Sequence, residues 1–246
     1  MHSSVQLTNI TVGYDDTPIL KDISVSIPAE KITVILGKSG CGKSTLLKTM
    51  LRLLPPLNGS ISLLGEDILS ISEARWESLL LKTGVLFQNG ALLNSMTLKE
   101  NVALPLEQHT QLPPDIIHEL VHHQLTRVGL GQDLHKLPGE LSGGMRKRAA
   151  LARAMILNPS ILFCDEPSAG LDPVTARSLD DLLLELKQQY NMTIVVVTHE
   201  IPSIQHIADE LMYLENGSII FQGSLSQLAT PHIPESVRRF FSISEH

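Results

Sequence analysis

The sequence has few cysteines, no excess of basic residues and no long apolar run, and each absence excludes a class of protein. Its 2 cysteines are too few for a disulfide framework, which favours a reducing compartment. The 19 Lys and Arg against 26 Asp and Glu give a net charge of −7, which argues against a general nucleic-acid binder because phosphate contacts need a basic face. Apolar stretches such as residues 194–197 end long before the roughly 18 residues that a membrane-spanning helix needs.

The N-terminus also lacks the pattern of a secretory signal. Residues 1–10 contain no basic segment followed by an apolar one, so we expect a cytosolic protein. The composition is that of a globular protein, with 43% hydrophobic and 18% charged residues. A chain of 246 residues is long enough for one large domain or two small ones.

Short apolar runs predict the strands of an α/β fold. Residues 33–36, 161–164 and 193–198 are rich in β-branched and apolar residues, which predicts strands buried on both faces. A loop and a helical pattern follow each run, as in a parallel sheet with helical crossovers. Residues 5–12 and 23–27 alternate between apolar and polar types instead, which predicts antiparallel strands with one solvated face.

Three further segments have their own patterns. Residues 61–64 are expected to join the antiparallel strands, and Asn216-Gly217 between two apolar runs predicts a hairpin. Residues from about 90 to 157 form a helical pattern, interrupted by an extended stretch around residues 105–114 and by a glycine-rich break at residues 129–131. The tail from residue 231 is either a short amphipathic segment or a frayed terminus.

A phosphate-binding loop follows the first buried strand. Residues 37–45 match G-x-x-x-x-G-K-[ST] and precede a helix-forming segment. The glycines let successive backbone N–H groups face a phosphate at the positive end of the helix. We expect Lys43 to reach the β- and γ-phosphates and the Ser44 hydroxyl to bind Mg²⁺. The nucleotide-binding residues predicted here are Gly37, Lys38, Ser39, Gly40, Cys41, Gly42, Lys43, Ser44 and Thr45.

The second buried strand ends in two carboxylates, Asp165 and Glu166. Beside a phosphate loop, Asp165 is expected to hold Mg²⁺ through water, and Glu166 to polarise a hydrolytic water. Asp172 and Pro173 then predict the N-cap and the first residue of another helix.

The most specific stretch is Leu-Ser-Gly-Gly-Met at residues 141–145. Ser142 is expected to cap a helix, and Gly143 and Gly144 to expose N–H groups that form a second anion site. One nucleotide does not need two such sites within one chain. We therefore expect Ser142, Gly143 and Gly144 of one copy to close over the γ-phosphate held by Lys43 of another copy.

The order of these motifs resembles that of the ATP-binding cassette (ABC) ATPases over nearly the whole chain. The resemblance identifies Gln88 as the Q-loop glutamine, residues 168–172 as the D-loop, His199 as the switch histidine and Tyr14 as the aromatic residue that stacks on adenine. It implies a P-loop NTPase (RecA-like) core with an antiparallel β subdomain and an inserted α-helical subdomain. We expect this single domain to cover residues 1–230, with a C-terminal tail at residues 231–246.

The resemblance also implies ATP hydrolysis by a head-to-tail dimer with two ATP molecules at its interface. Glu166 is then the general base, while His199 and Lys43 contact the γ-phosphate. Gln88 senses Mg²⁺ and water and passes closure to a multi-span permease. The Mg²⁺ ligands implied are Ser44, Gln88 and Asp165.

Within the family, Met145 and its basic, alanine-rich continuation resemble the ATPases of Mla-type and Mce-associated lipid transporters. Residues 86–93, 109–113 and 237–241 extend the likeness. It implies phospholipid transport between inner and outer membranes, with the chain at the cytoplasmic face of the inner membrane. The partners implied are permease subunits, a lipid-binding protein and a small cytosolic accessory subunit. Because some osmoprotectant importers share Met145, an importer ATPase for a small solute such as an amino acid or osmoprotectant is the alternative.

Two other patterns have competing interpretations. His118, Glu119 and His122 fit the zinc pattern H-E-x-x-H, with Glu140 as the only imaginable third ligand, but their helix has a separate apolar stripe, which favours a solvated histidine-rich face. The basic run at residues 146–148 is either a phosphate or dimer contact or a solvated face. A scaffold without turnover is disfavoured, since it would need neither Glu166 nor His199.

Overall fold

The computed structural model describes residues 3–14, 17–230 and 232–242, which form two β-sheets with helices packed against them. The strands of the described part are β1 (Ser3–Tyr14), β2 (Thr17–Pro28), β3 (Ile32–Leu36), β4 (Asn58–Leu63), β5 (Glu66–Asp67), β6 (Thr83–Leu86), β7 (Ile161–Asp165), β8 (Thr193–Val197), β9 (Glu210–Glu215) and β10 (Ser218–Gly223). The helices are α1 (Lys43–Met50), α2 (Glu73–Leu80), α3 (Leu98–His109), α4 (Pro114–Arg127), α5 (Gly143–Met155), α6 (Pro173–Tyr190), α7 (Ile201–Ile207) and α8 (Glu235–Ser242).

The larger sheet has the strand order β10-β9-β3-β8-β7-β6. Its pairs from β9 through β6 are parallel, whereas β10 forms an antiparallel hairpin with β9. Every residue of β3, β7 and β8 is buried, because helices cover both faces of a parallel sheet. The three predicted buried strands and the predicted hairpin are therefore confirmed.

The smaller sheet is antiparallel, in the order β2-β1-β4-β5, which confirms the prediction for the alternating segments. Leu7 of β1 pairs with Val25 of β2 and with Ile61 of β4, and all three side chains are buried. Helix α1 lies between the sheets, where Leu46 and Leu47 join one apolar cluster with residues of both. The start of α1, which carries the phosphate loop, is thereby fixed by both sheets.

Helices α3, α4 and α5 account for most of the helical pattern between residues 90 and 157. The extended stretch expected around residues 105–114 is wrong for its first part, since Pro105 lies inside α3, which ends at His109. The non-helical backbone is confined to residues 110–113, between α3 and α4. A helix-interior proline costs about 3 kcal/mol. Burial of Leu98, Val102 and Leu106 and a capping box at Thr97 offset that cost.

The C-terminal segment forms α8, an amphipathic helix that packs on the larger sheet. Val237 is fully buried, and the ring of Phe240 meets Tyr213 of β9 edge to face at a centroid distance of 5.4 Å. Of the two alternatives for the tail, the described residues up to 242 adopt the amphipathic one. Among the helices of the described ranges, none combines the length and the apolar character that crossing a bilayer requires.

Candidate functional site

The predicted site residues follow four neighbouring strands of the larger sheet. The phosphate loop (residues 37–45) follows β3. Asp165 is the last residue of β7, and Glu166 comes directly after it. His199 comes two residues after β8, and Gln88 comes two residues after β6. Since these strands are parallel, their carboxyl ends lie at one edge of the sheet. That edge is where open α/β sheets bind ligands.

The phosphate loop is folded around the ammonium group of Lys43. Lys43 is the first residue of α1 and is buried, and its Nζ donates to the carbonyl oxygens of Gly37 at 2.9 Å and Lys38 at 3.1 Å. Gly42 caps the helix at φ 109°, and a Cβ there would stand 2.7 Å from Leu20 Cδ2. The loop therefore needs glycine at this position, and it places a positive charge at the N-terminus of a helix.

Ser44 and Asp165 bring two oxygen ligands together. Ser44 Oγ donates to Asp165 Oδ1 at 3.1 Å. Burial raises the pKa of the Asp165 carboxyl, and the charge of Glu166 adds to that rise, while the Ser44 hydrogen bond partly opposes it. A buried carboxylate beside a hydroxyl is a donor set that suits Mg²⁺, which prefers oxygen ligands. The residues present thus fit the metal that the sequence predicts.

Glu166 has a strained backbone and a side chain that is only partly hydrogen-bonded. Its φ is 48°, in the left-handed region, and its N–H donates to Val197 O at 2.8 Å. Glu166 Oε1 lies 2.8 Å from His199 Nδ1. Within the described ranges, Glu166 Oε2 is buried with no hydrogen-bond partner. A carboxylate with a free lone pair beside a histidine is able to accept a proton from water.

Lys147 contacts the site, although the sequence showed it only as part of the basic run at residues 146–148. It lies on α5, is buried, and its Nζ donates to the Glu166 carbonyl oxygen at 2.8 Å. Burial lowers the pKa of this ammonium group, although the charges of Glu166 and Asp165 oppose the shift. The available signal was periodicity, because Lys147 shares a helix face with buried Gly144 and Leu151.

The segment predicted as a second anion site, residues 142–144, lies at the N-terminus of α5. Ser142 is the N-cap and accepts a hydrogen bond from the Met145 N–H at 3.2 Å. Gly143 is exposed, whereas a Cβ on Gly144 would stand 2.4 Å from Thr175 Cγ2 of α6. Within the described part of this chain, no hydrogen bond joins these three residues to the phosphate loop.

Gln88 and Tyr14 have no described contact with the other predicted ligands. Gln88 is exposed and lines a cavity of 420 Å³ together with Gly143, Lys147 and Gly170. Tyr14 pairs through its backbone with Thr17, and its side chain lies outside the described residues. Their roles at the nucleotide remain predictions.

Arg148, His118 and His122 form no hydrogen bond with the phosphate loop or with the Glu166–His199 pair among the described residues. Arg148 donates to Val128 O at 3.1 Å and to Ser178 Oγ at 2.6 Å, so it joins α5 to its neighbours. His118 and His122 are exposed on α4, beside buried Ile117 and Val121. Among the described residues, no group of three or more His, Cys, Asp or Glu side chains is arranged to hold a metal ion.

Comparison with known proteins gives one family. The family described as "ABC transporter" matches residues 20–169. The probable ribonucleotide transport ATP-binding protein mkl of Mycobacterium tuberculosis (strain ATCC 25618 / H37Rv) is 41% identical over 242 residues, which cover 98% of this chain and 67% of the relative. The intermembrane phospholipid transport system ATP-binding protein MlaF of Escherichia coli (strain K12) is 39% identical over 236 residues, covering 96% of this chain and 87% of the relative.

Solved structures agree with these sequence relatives. A dimeric, post-hydrolysis structure of the ATP-binding cassette MJ0796 bound to ADP and Pi has a TM-score of 0.83 and 29% identity, and it covers 90% of this chain and 98% of the other. The structure of cbiO1 from Clostridium perfringens, part of the transporter complex cbiONQ, has a TM-score of 0.85 and 28% identity over 100% of this chain and 96% of the other.

Proposed function

This chain belongs to the ABC transporter family, and we propose that its ATP hydrolysis drives the movement of phospholipid between two membranes. The observation that carries the hydrolytic part is the pair formed by Glu166 and His199, whose Oε1 and Nδ1 atoms lie 2.8 Å apart. Phospholipid is proposed as the transported substrate because this chain is 39% identical, over 96% of its length, to a phospholipid transport ATP-binding protein.

The residues around the phosphate loop have distinct roles in hydrolysis. Lys43 turns its ammonium group from the Gly37 and Lys38 carbonyls toward the β- and γ-phosphates. Glu166 Oε2 accepts a proton from the attacking water, the water oxygen bonds to the γ-phosphorus, and the bond from that phosphorus to the bridging oxygen breaks. The products are ADP and phosphate. His199 holds Glu166 Oε1, so that Oε2 is the oxygen left to meet the water.

Mg²⁺ is part of the same proposal. The Ser44 hydroxyl and the Asp165 carboxylate would hold it, with Gln88 as a third ligand when the nucleotide is bound. When bound, the ion neutralises charge on the β- and γ-phosphate oxygens. The 3.1 Å hydrogen bond between Ser44 Oγ and Asp165 Oδ1, which brings two oxygen ligands together beside the phosphate loop, supports this assignment.

The proposal includes a head-to-tail dimer of this chain. Ser142, Gly143 and Gly144 offer N–H groups at a helix N-terminus, yet none of them bonds to the phosphate loop of its own chain within the described ranges. Supplying these groups to a second copy gives them an anion to bind. A dimeric cassette with 29% identity supports the arrangement.

The proposed setting is the cytoplasmic face of the inner membrane, with a multi-span permease, a lipid-binding protein and an accessory subunit as partners. Small-solute import is the second candidate, because a relative with 41% identity is named a probable ribonucleotide transport protein. The cargo then depends on the permease and not on the hydrolytic site, since both candidates use the same residues.

A reconstituted complex separates these candidates. The chain is affinity-purified with its partners from the membranes of its source, and the complex is reconstituted in vesicles. The transfer of a fluorescent phospholipid is then measured in the presence of ATP. We expect transfer with the wild-type chain and none with Glu166→Gln, which serves as the matched control. Co-purification of a soluble receptor for an amino acid, betaine or nucleotide, without lipid transfer, would contradict the phospholipid proposal and leave the ATPase assignment intact.

A further inference from the structure

A buried acidic residue, Asp180, lies on α6 at a position that the proposed hydrolysis does not use. Only 2% of its surface is exposed, and its helix neighbours Leu179 and Leu183 are fully buried. An acidic side chain is rarely found at such a position unless it has a partner. Within the described part of the chain, Asp180 Oδ1 has no hydrogen-bond partner.

Asp180 lines a small cavity of 150 Å³ between α6, α7 and the D-loop (residues 168–172). Ser168 of the D-loop and Ser203 of α7 line it and are buried, and their Oγ atoms lie 3.3 Å apart. Burial raises the pKa of the Asp180 carboxyl, and a hydrogen bond with Ser203 partly opposes the rise. The charged side chains of Arg177 and Glu200 line the mouth of the same cavity.

The chemistry of these groups gives the hydrogen bonds a direction. A carboxylate can only accept, so the Ser203 hydroxyl, which lines the same cavity, is a donor that Asp180 can use, and Ser203 Oγ can then accept from Ser168. Ser168, Ser203 and Asp180 thus bring polar groups of the D-loop, α7 and α6 together in one cavity. Low exposure strengthens each of these bonds, because water does not compete for the hydroxyl groups.

The two segments joined in this way carry the hydrolytic pair. Ser168 lies two residues after Glu166, and Ser203 lies four residues after His199. Movement of the D-loop relative to α7 would change the 2.8 Å separation between Glu166 Oε1 and His199 Nδ1. A contact between Ser168 and Ser203 that holds the D-loop against α7 would therefore keep the Glu166–His199 separation constant.

Asp180 also has a cost that an apolar residue would avoid. A buried carboxyl with one unpaired oxygen destabilises the folded state, since its desolvation is not compensated. Leucine would extend the apolar face formed by Leu179, Leu182 and Leu183. Polar groups that reduce stability in this way are typical of functional positions.

We propose that Asp180 is a positioning residue, which acts through Ser203 and Ser168 to hold the D-loop against α7 and so sets the geometry of the Glu166–His199 pair. The inference rests on the proposed hydrolysis at that pair. It assigns no contact between Asp180 and the nucleotide, so the affinity for ATP should not depend on it.

The test measures stability and ATP turnover of the full-length chain for three variants. Asp180→Leu removes the acceptor and should raise the melting temperature by about 2 to 4 °C while lowering kcat about tenfold, with the KM for ATP within about twofold of wild type. Asp180→Asn retains an acceptor oxygen of the same shape and should keep at least about half of the wild-type kcat. Ser203→Ala breaks the link without touching Asp180 and should lower kcat as Asp180→Leu does.

Glu185→Leu is the matched control, because Glu185 lies exposed on the same helix. It should leave kcat unchanged. Wild-type kcat in both Asp180→Leu and Ser203→Ala would overturn the inference, as would a rise in KM that accounts for the whole loss. Absence of turnover in the wild-type chain itself would refute the proposed function instead. If Asp180→Leu fails to fold, Ser203→Ala decides the question alone.

Discussion

A single added methyl group should affect protein stability differently at Gly144 and at its neighbour Gly143. A Cβ on Gly144 would stand 2.4 Å from Thr175 Cγ2, whereas a Cβ on Gly143 would meet Leu171 Cδ2 at 3.5 Å. Carbon atoms pack at about 3.5 to 4.0 Å, so Gly144→Ala creates an overlap of roughly 1 Å and Gly143→Ala creates none.

The expected energies follow from these distances. Overpacking of this kind costs about 1 to 3 kcal/mol, and alanine at a helical glycine returns at most about 1 kcal/mol. Gly143→Ala should therefore be neutral or slightly stabilising, while Gly144→Ala should be the less stable of the two by about 1 to 3 kcal/mol. For a chain of this size the difference corresponds to a melting temperature lower by roughly 2 to 12 °C.

The assay is thermal unfolding followed by circular dichroism, in the absence of nucleotide, so that only packing is measured. Thr175→Ser removes the methyl group that collides, and the double variant Gly144→Ala/Thr175→Ser should recover at least about half of the loss. Thr175→Ser alone is the control, because it loses a half-buried methyl worth less than about 1 kcal/mol. If Gly144→Ala melts at or above Gly143→Ala, or if the double variant shows no recovery, α5 and α6 do not pack as described.

Three other predictions concern the base, a helix cap and the C-terminal helix. Glu166→Gln should bind ATP with unchanged affinity but lower kcat by about 10² to 10⁴, measured by phosphate release, and wild-type turnover would refute the role of Glu166. Hydrogen bonds from Thr175 hold the pKa of Asp172 below its ordinary value, so its stabilisation is present above that ordinary value and lost as pH falls through the lowered one. Asp172→Asn should therefore reduce the acid-induced loss of stability in urea titrations, and an unchanged pH dependence would contradict this. Phe240→Ala should cost about 1 to 3 kcal/mol in the same titrations, because the ring packs on Tyr213, and unchanged stability would contradict that packing.

Local chemistry made part of the fold predictable. Residues 33–36, 161–164 and 193–198 contain unbroken apolar or β-branched runs, and such runs form strands when both faces of a sheet are covered. Caps were equally accessible, since Ser142 and Asp172 accept the backbone hydrogen bonds that their side chains suggest. In these segments the local preference and the tertiary structure agree.

Tertiary packing overrode local preference in other places. Pro105 is a helix breaker in isolation, but buried neighbours hold it inside α3. Lys147 stands in a basic run that resembles a solvated face, and only the position of α5 against β7 brings its Nζ to the Glu166 carbonyl. Asp180 breaks an apolar stripe in the sequence, yet it shares a cavity with Ser168 and Ser203, which no local pattern connects to it.

Strand order explains why distant motifs form one site. The strands β3, β8, β7 and β6 are adjacent in that order in the sheet, although they are not consecutive in the sequence. The site residues at their carboxyl ends are Gly37, His199, Asp165 and Gln88, respectively. Because neighbouring strands are about 4.8 Å apart, the loops after β3 and β7 lie within two strand spacings, and the Ser44–Asp165 hydrogen bond can form. Glu166 is turned by its positive φ toward β8, where its N–H meets Val197 and its side chain meets His199. Exchanging β8 with β3 in the sheet would leave every motif intact in the sequence but place β3 between β7 and β8, which would separate the base from its histidine. The hydrolytic pair therefore depends on topology as much as on residue type.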